Sequence, residues 1–286
     1  MKLFKVVLIF TWLCLLYGCA SFLPDDRRQN TDKVAGEHGW HQLILQAGKF
    51  DLIAYVPKQV KPSHLISIYI EGDGLAWLTP SQPSLDPTPI HPLGLELAMS
   101  QARGLAVYLA RPCQFTGIET NRNCAVTYWT DRRFSPDVIQ AIDAAIGQLK
   151  QRFNADQLEL IGYSGGGAIA TLVAARRNDV VRLVTVAGNL DIDAWTSLHH
   201  SSALRHSLNP ADAWEKLLHT KQIHLVGSAD KNMSSMIAES YRMRFPEQYR
   251  PAIDIIQDFD HHCCWVEQWS VIYSKFPSLL EDDVLR

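Results

Sequence analysis

The sequence predicts an α/β protein with a mostly parallel central sheet of about eight strands, helices on both faces and a small cap insertion. Short runs of apolar residues alternate with helical patterns along the chain, and several of these runs are apolar throughout. Strands of that kind are typical of parallel sheets covered on both faces. The 286 residues are 47% apolar and 20% charged, which is enough to bury one large domain.

The first elements follow directly from the pattern. "HQLILQAG" and "DLIAYVP" predict an opening hairpin over 41–56, and "HLISIYIEGDG" predicts a strand that ends in a glycine loop. "GLAVYLARP" predicts another strand. A helix is expected from Pro136, because Ser135 can serve as its N-cap and apolar residues follow at helical spacing.

In the second half, the strand "LELIG" is followed by the helical segment "GGAIATLVAARR". Three more apolar runs predict the remaining strands: "VVRLVTVAG", "QIHLVGSAD" and "PAIDIIQDFDHH". Residues 189–222 are rich in Trp, His and Leu and include "NPADAWEKLL". They are too few for a second domain, so the sequence predicts a small cap insertion there.

The amino terminus predicts export. Lys2 and Lys5 precede an apolar run from Val6 to Tyr17, which is typical of a signal peptide and shorter than a comfortable transmembrane span. Residues 1–18 are therefore expected to be a signal peptide. The polar residues that follow predict a flexible tether over 19–39 and one folded domain over 40–286.

The end of the apolar run, "LLYGC", resembles the bacterial lipobox, with Leu16, Gly18 and Cys19 matching it. The resemblance implies cleavage before Cys19 and a lipid on that cysteine, which would attach the chain to a membrane. Ala20 and Ser21 after the cysteine imply sorting to the outer membrane of a Gram-negative cell envelope, facing the periplasm. An ordinary signal peptide and an N-terminal anchor helix are the alternatives.

Cys14 lies in the expected signal peptide and Cys19 is the expected lipid site, which leaves four other cysteines. Cys113 and Cys124 stand at the two ends of one polar loop, so a disulfide is expected between them in an oxidising compartment. The adjacent pair Cys263 and Cys264 is not expected to bond to itself, because the joining peptide would be strained. The run "HHCC" lacks the spacers of a zinc site, so no metal is predicted.

The charge excludes one class of partner. A formal net charge of −3 without a basic stripe gives no footprint for nucleic acid. No cofactor is implied, and the oligomeric state stays open.

The stretch "LIGYSGGGAIA" carries the chemistry. Gly162, Ser164 and Gly166 match the pattern G-x-S-x-G between an apolar strand and a helix. A serine on such a sharp turn adopts a strained backbone, and its neighbours two residues away must be small. The amides at the start of the helix favour negative charge beside it. The pattern predicts a nucleophilic serine, and the alternative is a glycine turn that only packs closely.

With this motif the chain resembles the α/β-hydrolases over about residues 40–280. In that family an acid and then a histidine follow the serine along the chain. The resemblance implies that Asp230, after "HLVG", is the acid and that a histidine of "FDHHCCW" is the base. His261 is favoured because it is nearest the strand end, with His262 as the alternative. Asp191 and Asp193, which follow the preceding strand, are rival acids.

The resemblance also implies an oxyanion hole. Gly165, directly after the nucleophile, supplies one backbone amide, and Asp73 in "EGDG" supplies the other. This loop has Glu71 where many members of the family have histidine. Its two acidic residues are unfavourable near an oxyanion unless they are paired or point away.

These observations predict a serine hydrolase, anchored to the bacterial envelope, that acts on an ester or related acyl substrate through an acyl-enzyme. Its substrate would be a small or lipid-like molecule. The alternative is a non-catalytic binding or scaffold lipoprotein that keeps the fold without an activated serine.

Overall fold

An eight-stranded mixed sheet organises the chain. The computed structural model describes residues 24–60, 63–116 and 122–276. The spatial order of the strands is β1-β2-β6-β3-β7-β8-β9-β10. Pairings β1–β2 and β2–β6 are antiparallel, and the five pairings from β6 to β10 are parallel. The predicted mostly parallel α/β architecture is confirmed.

The strands of the sheet are β1 (Trp40–Ala47), β2 (Phe50–Pro57), β3 (Leu65–Ile70), β6 (Leu105–Leu109), β7 (Gln157–Tyr163), β8 (Val180–Val186), β9 (Lys221–Gly227) and β10 (Ala252–Ile256). A separate hairpin is made by β4 (Trp77–Thr79) and β5 (Gln82–Pro83). The opening hairpin is β1–β2, as the alternation of its sequence predicts.

The helices are α1 (Pro24–Glu37), α2 (Leu93–Met99), α3 (Pro136–Arg152), α4 (Gly165–Ala174), α5 (Ile192–Leu198), α6 (Ser235–Arg242) and α7 (Trp265–Ser274). Three 3₁₀ segments cover Val126–Trp129, Pro210–Leu217 and Glu247–Tyr249. Helix α3 begins at Pro136 with Ser135 at its N-cap position, as predicted.

Apolar clusters cover both faces of the sheet. Along β7, Leu158 and Leu160 join the cluster that contains α3 and α4, whereas Ile161 and Tyr163 join the cluster that contains α2 and α7. Successive side chains of a strand point to opposite faces, so the two clusters lie on opposite sides of the sheet. This double burial explains why the strands read as continuous apolar runs.

Helix α1 corrects the prediction of a flexible tether over 19–39 for the residues that the structure describes. Arg27, Thr31 and Ala35 form a buried stripe at helical spacing, with exposures of 5%, 4% and 0%. The hydroxyl of Tyr55 donates to Asp32 Oδ1 at 2.7 Å. The helix is held by polar contacts rather than by an apolar face, which is why its composition suggests a tether. Residues 1–18 and Cys19 lie outside the described residues.

The cysteines form two bridges in the described part of the chain. Cys113 and Cys124 are bonded, with Cα atoms 5.6 Å apart, as the sequence predicts. Cys263 and Cys264 are also bonded, against expectation. The turn that carries them is tight, because the amide of Cys263 donates to Asp260 Oδ1 at 2.7 Å.

The segment 189–222 holds α5 and one 3₁₀ turn and leads into β9. Asn209 caps the 3₁₀ turn through its side chain, which accepts from the amide of Ala211 at 3.2 Å. Leu208 and Trp214 pack on the main apolar cluster. The segment therefore sits on the body of the domain, with Trp195 of α5 reaching the cavity described below.

Candidate active site

Ser164 occupies a sharp turn between β7 and α4. Its backbone has φ 52° and ψ −120°, a conformation that residues other than glycine rarely adopt. A Cβ added to Gly162 would overlap the carbonyl oxygen of Gly166, and a Cβ on Gly166 would overlap that of Ile70. The glycines of the motif are thus required by close backbone approach. The turn is held against the end of β8, because Ser164 N donates to Val186 O at 3.0 Å.

Ser164, His261 and Asp230 form one hydrogen-bonded chain. Ser164 Oγ lies 3.0 Å from His261 Nε2, and His261 Nδ1 lies 2.8 Å from Asp230 Oδ2. These residues are 97 and 31 positions apart along the chain and come from three separate loops at the carboxyl ends of parallel strands. The structure brings together the three residues that the sequence analysis singled out.

Asp230 is held as a carboxylate. Its other oxygen accepts from the amides of Asn232 and Met233, both at 2.8 Å. Burial raises the pKa of Asp230, but the hydrogen bond and charge of His261 and these two amides outweigh it and leave the pKa below its ordinary value. An ionised Asp230 fixes the His261 tautomer that leaves Nε2 free to face Ser164.

The rival acids have other partners. Asp191 caps α5 by accepting from the amides of Asp193 and Ala194 at 3.1 and 3.2 Å, and its second oxygen accepts from Ser240 Oγ at 2.6 Å. Asp193 Oδ2 accepts from Asn209. Both aspartates hold the cap segment in place, and among the described residues it is Asp230 whose carboxylate is hydrogen-bonded to His261.

His262, the alternative base, points elsewhere. Its Nδ1 lies 3.1 Å from the hydroxyl of Tyr163. Burial and the nearby charge of His261 lower the pKa of His262, which favours the neutral ring. Of the two histidines, His261 is the one hydrogen-bonded to Ser164.

The loop from Glu71 to Gly74 lies against the start of α4. A Cβ on Gly165 would overlap Asp73 Oδ1, so the two residues expected to supply oxyanion amides are on segments in direct contact. The Asp73 carboxylate pairs with Arg111 and with Arg133, whose Nη1 lies 2.5 Å from Oδ2. Asp73 is therefore neutralised by two guanidinium groups.

Glu71, the first residue of this loop, is buried, with an exposure of 1%. It accepts from the amide of Gly72 at 2.8 Å and from that of Gly94 at 3.2 Å. Burial raises the pKa of Glu71 to about 7, and the two amides oppose this only in part. The second acidic residue of the loop is thus close to half protonated at neutral pH.

The Glu71 carboxyl group makes the unfolding free energy of the domain depend on pH. The pKa of Glu71 is about 7 when folded and 4.5 as its ordinary value, so the folded state binds more protons between these limits. The Glu71 contribution is complete below pH 4.5 and is lost as the pH rises to about 7. Relative to Glu71→Gln, we expect the wild type to lose about 3 kcal/mol of unfolding free energy across this window.

Urea unfolding at several pH values checks this expectation. The exposed Glu215 provides the control, since Glu215→Gln should follow the wild-type pH dependence. Parallel pH curves for the wild type and Glu71→Gln would contradict the buried, protonated carboxyl.

A cavity of about 450 Å³ opens over Ser164. Its apolar wall is formed by Leu75, Pro89, Ile90, Trp195 and Met233, and its polar groups include Ser164, His261 and Asn232. A mostly apolar cavity with a few convergent polar groups suits a small or medium acyl group.

Asn232 is a cavity residue that the sequence analysis missed. Its Oδ1 accepts from the indole of Trp195 at 3.2 Å, and because indole can only donate, this contact orients the amide. Its Nδ2 lies 3.3 Å from His261 Nε2. The Asn232 amide therefore presents a fixed donor beside the atoms Ser164 Oγ and His261 Nε2. The only available signal was its position two residues after Asp230.

Neither a metal cluster nor a membrane span is found in the described ranges. No group of three or more His, Cys, Asp or Glu residues there is arranged to hold a metal ion. Of the helices described, none is long and apolar enough to cross a bilayer.

Comparison with known proteins identifies the fold. No family model and no curated protein matches the chain. Among solved structures, Est1E from Butyrivibrio proteoclasticus is 13% identical with a TM-score of 0.59, over 85% of this chain and 99% of that one. The Pyrococcus furiosus esterase Pf2001 is 10% identical with a TM-score of 0.57, over 83% and 90%.

A bacterial membrane phospholipase A described as a virulence factor is 16% identical, with a TM-score of 0.53 and 100% coverage of both chains. An α/β serine hydrolase homologue from Coxiella burnetii is 13% identical with a TM-score of 0.53, over 83% and 97%. At these identities the likeness is one of fold, and the fold is that of the α/β-hydrolases.

Proposed function

We propose that this α/β-hydrolase-fold chain is a serine hydrolase that cleaves an ester or related acyl bond. The observation that carries the proposal is the continuous hydrogen-bonded chain from Asp230 through His261 to Ser164 Oγ, at 2.8 and 3.0 Å, opening into an apolar cavity. An activated serine needs this combination of base, orienting acid and strained turn.

In the first step, Ser164 Oγ attacks the acyl carbonyl carbon while His261 Nε2 takes the hydroxyl proton. The resulting imidazolium is stabilised by the Asp230 carboxylate on Nδ1. The negative oxygen of the tetrahedral intermediate is assigned to the backbone amides of Gly165 and Asp73, aided by the start of α4. Collapse of the intermediate expels the alcohol, which takes its proton from His261.

In the second step, water gives its proton to His261 and attacks the acyl-Ser164 ester. A second tetrahedral intermediate forms and releases the acid, and Ser164 recovers its proton. No cofactor takes part. An alcohol in place of water would give acyl transfer by the same residues.

The binding-protein alternative rested on the acidic loop that includes Glu71 and Asp73. Two features of the loop reduce the negative charge that favoured this alternative. Asp73 is paired with Arg111 and Arg133, and burial holds Glu71 partly protonated. The loop therefore places little net negative charge next to the expected oxyanion.

We further propose that the chain is attached to the bacterial envelope through a lipid on Cys19, facing the periplasm. The lipobox-like "LLYGC" and the apolar run before it support this proposal. The disulfide between Cys113 and Cys124 is consistent with an oxidising compartment.

Reaction with a fluorophosphonate tests for the activated serine. We expect one covalent adduct on the wild-type chain, seen as a single mass increase, and none on Ser164→Ala. Asn154→Ala, at another position of positive φ beyond the opposite end of β7 from Ser164, should label like the wild type. A folded wild-type chain that forms no adduct would support the binding-protein alternative instead.

A further inference from the structure

Three large apolar side chains are exposed on the loop that carries the β4–β5 hairpin. Trp77, Leu78 and Leu85 have exposures of 39%, 52% and 74%. No charged residue occurs between Gly74 and Leu85 in "GLAWLTPSQPSL". An uncharged surface loop that exposes a tryptophan and two leucines within nine residues is unusual, since exposed apolar residues are normally scattered singly. We call Trp77, Leu78 and Leu85 the apolar hairpin patch.

The loop that carries this patch begins and ends at the cavity over Ser164. Gly74 and Leu75, directly before the hairpin, line that cavity, and so do Pro89 and Ile90 after it. The hairpin therefore projects from the cavity wall. The apolar hairpin patch therefore lies within a few residues of the cavity lining on both sides.

The amino-terminal helix docks on the base of the same hairpin. Arg28 Nη1 lies 2.9 Å from Asp86 Oδ2, and Arg27, buried to 5% exposure, donates to the carbonyl of Thr88. Asp86 directly follows Leu85 of the patch. The first turn of α1, and hence the place where the chain enters the domain, is fixed beside the apolar hairpin patch.

The position of Cys19 then limits where an anchor can be. Four residues separate Cys19 from Pro24, the first residue of α1. Five peptide steps reach at most about 18 Å when fully extended. A lipid on Cys19 would therefore hold the membrane surface within this short reach of the docked helix and of the hairpin beside it.

The chemistry of the patch fits lipid better than protein. Tryptophan is favoured at the boundary between headgroups and acyl chains, and leucine in the acyl region next to it. A stable protein interface buries about 800 Å² on each partner, which three side chains do not supply. The absence of charge from Gly74 to Leu85 removes the penalty of bringing ionised groups into the membrane boundary.

We propose that the apolar hairpin patch inserts into the membrane surface and that the site takes its acyl substrate, an amphiphilic ester, directly from the lipid layer. The proposal rests on the proposed hydrolase function and on the anchor at Cys19. It deepens that function by naming a membrane-embedded amphiphile, rather than a dissolved ester, as the substrate class.

The test uses the full-length chain reconstituted into phosphatidylcholine vesicles. The patch variant combines Trp77→Ser, Leu78→Ser and Leu85→Ser. The matched control combines Ile44→Ser, Met243→Ser and Val271→Ser, three exposed apolar residues with exposures of 65%, 58% and 52% on other elements. Two substrates are compared: a long-chain ester embedded in the vesicles and a short-chain ester dissolved in water.

We expect the patch variant to lose about tenfold in kcat/KM on the embedded ester, because membrane binding scales with the inserted apolar area. Its rate on the dissolved ester should equal that of the wild type, and the control variant should match the wild type on both. Equal rates of patch and control variants on the embedded ester would overturn the proposal. A wild type inactive on both esters would instead contradict the hydrolase function.

A second readout does not depend on activity. In vesicles of brominated phosphatidylcholine, the wild-type tryptophan fluorescence should be partly quenched, and Trp77→Phe should remove a component of that quenching. Trp214→Phe, which replaces a tryptophan packed on the core, should leave the quenched component intact. Quenching unchanged by Trp77→Phe overturns the contact, as does a dimer in detergent that only the patch variant separates into monomers.

Discussion

Replacement of Ser164 with alanine is expected to lower kcat on a simple ester by about 10⁵- to 10⁶-fold. The reason is that the Ser164 hydroxyl, 3.0 Å from His261 Nε2, is the nucleophile that this base can deprotonate. Without that oxygen no acyl-enzyme can form. The remaining amides and cavity can then only polarise and position the substrate for water, which is a small residual effect.

The same hydrogen-bonded chain predicts that the losses of activity caused by single substitutions are not additive. His261→Ala should cost about as much as Ser164→Ala, and the double variant should be no worse than either, because the residues act as one unit. Asp230→Asn should cost about 10³- to 10⁴-fold, since the amide would favour the wrong His261 tautomer. Steady-state kinetics on a p-nitrophenyl ester gives all four values.

Two controls make the kinetic result specific. His262→Ala should retain much more activity than His261→Ala, because His262 contacts Tyr163 instead of Ser164. Asp191→Asn should mainly affect stability, since its carboxylate caps α5. A Ser164→Ala variant that hydrolyses the ester at the wild-type rate would remove Ser164 from the mechanism.

Replacement of Asp73 with alanine should give the largest loss of stability among the site residues. It would leave Arg111 and Arg133, with side-chain exposures of 4% and 7%, without their shared carboxylate. Removal of one member of a buried ion pair costs about 3 to 5 kcal/mol, because the remaining charge is left without a counterion. Here two like charges would also face each other.

Urea unfolding measures this loss, with Asp254→Ala on the exposed edge strand β10 as the control for removing an aspartate. Burial raises the pKa of Asp73, but the charges of Arg133 and Arg111 outweigh it and hold the pKa below its ordinary value. The contribution is therefore present at neutral pH and is lost as the pH falls through the folded pKa. Equal unfolding free energies for Asp73→Ala and wild type would contradict the paired cluster.

The sheet and the Ser-His-Asp chain could be predicted from the sequence because both depend on local signals. Strands buried on both faces are apolar throughout, and the serine turn needs glycines at fixed offsets. Asp230 and His261 lie in the loops after β9 and β10, three and five residues beyond the strand ends. Parallel strands end at one edge of the sheet, so residues far apart in the chain meet there.

Other features depend on contacts that leave no local pattern. Helix α1 has a polar buried stripe rather than an apolar one, so its sequence resembles a linker. Asp73 pairs with Arg111 and Arg133, which lie 38 and 60 positions later in the chain. Asn232 is oriented by Trp195, 37 positions earlier, and by His261, 29 positions later. Such side-chain contacts become visible only when the fold brings distant segments together.

The docked helix α1 sets the volume that an anchored catalytic domain can explore. A flexible chain of the predicted length, about 20 residues, would have a root-mean-square span of about 25 Å and would let the domain tumble freely. With α1 folded onto the domain, the docked part of the chain begins at Pro24, five positions after Cys19. For a chain lipidated at Cys19, the search for substrate becomes lateral diffusion in a plane. Encounter rates would then follow the surface density of the substrate rather than its bulk concentration.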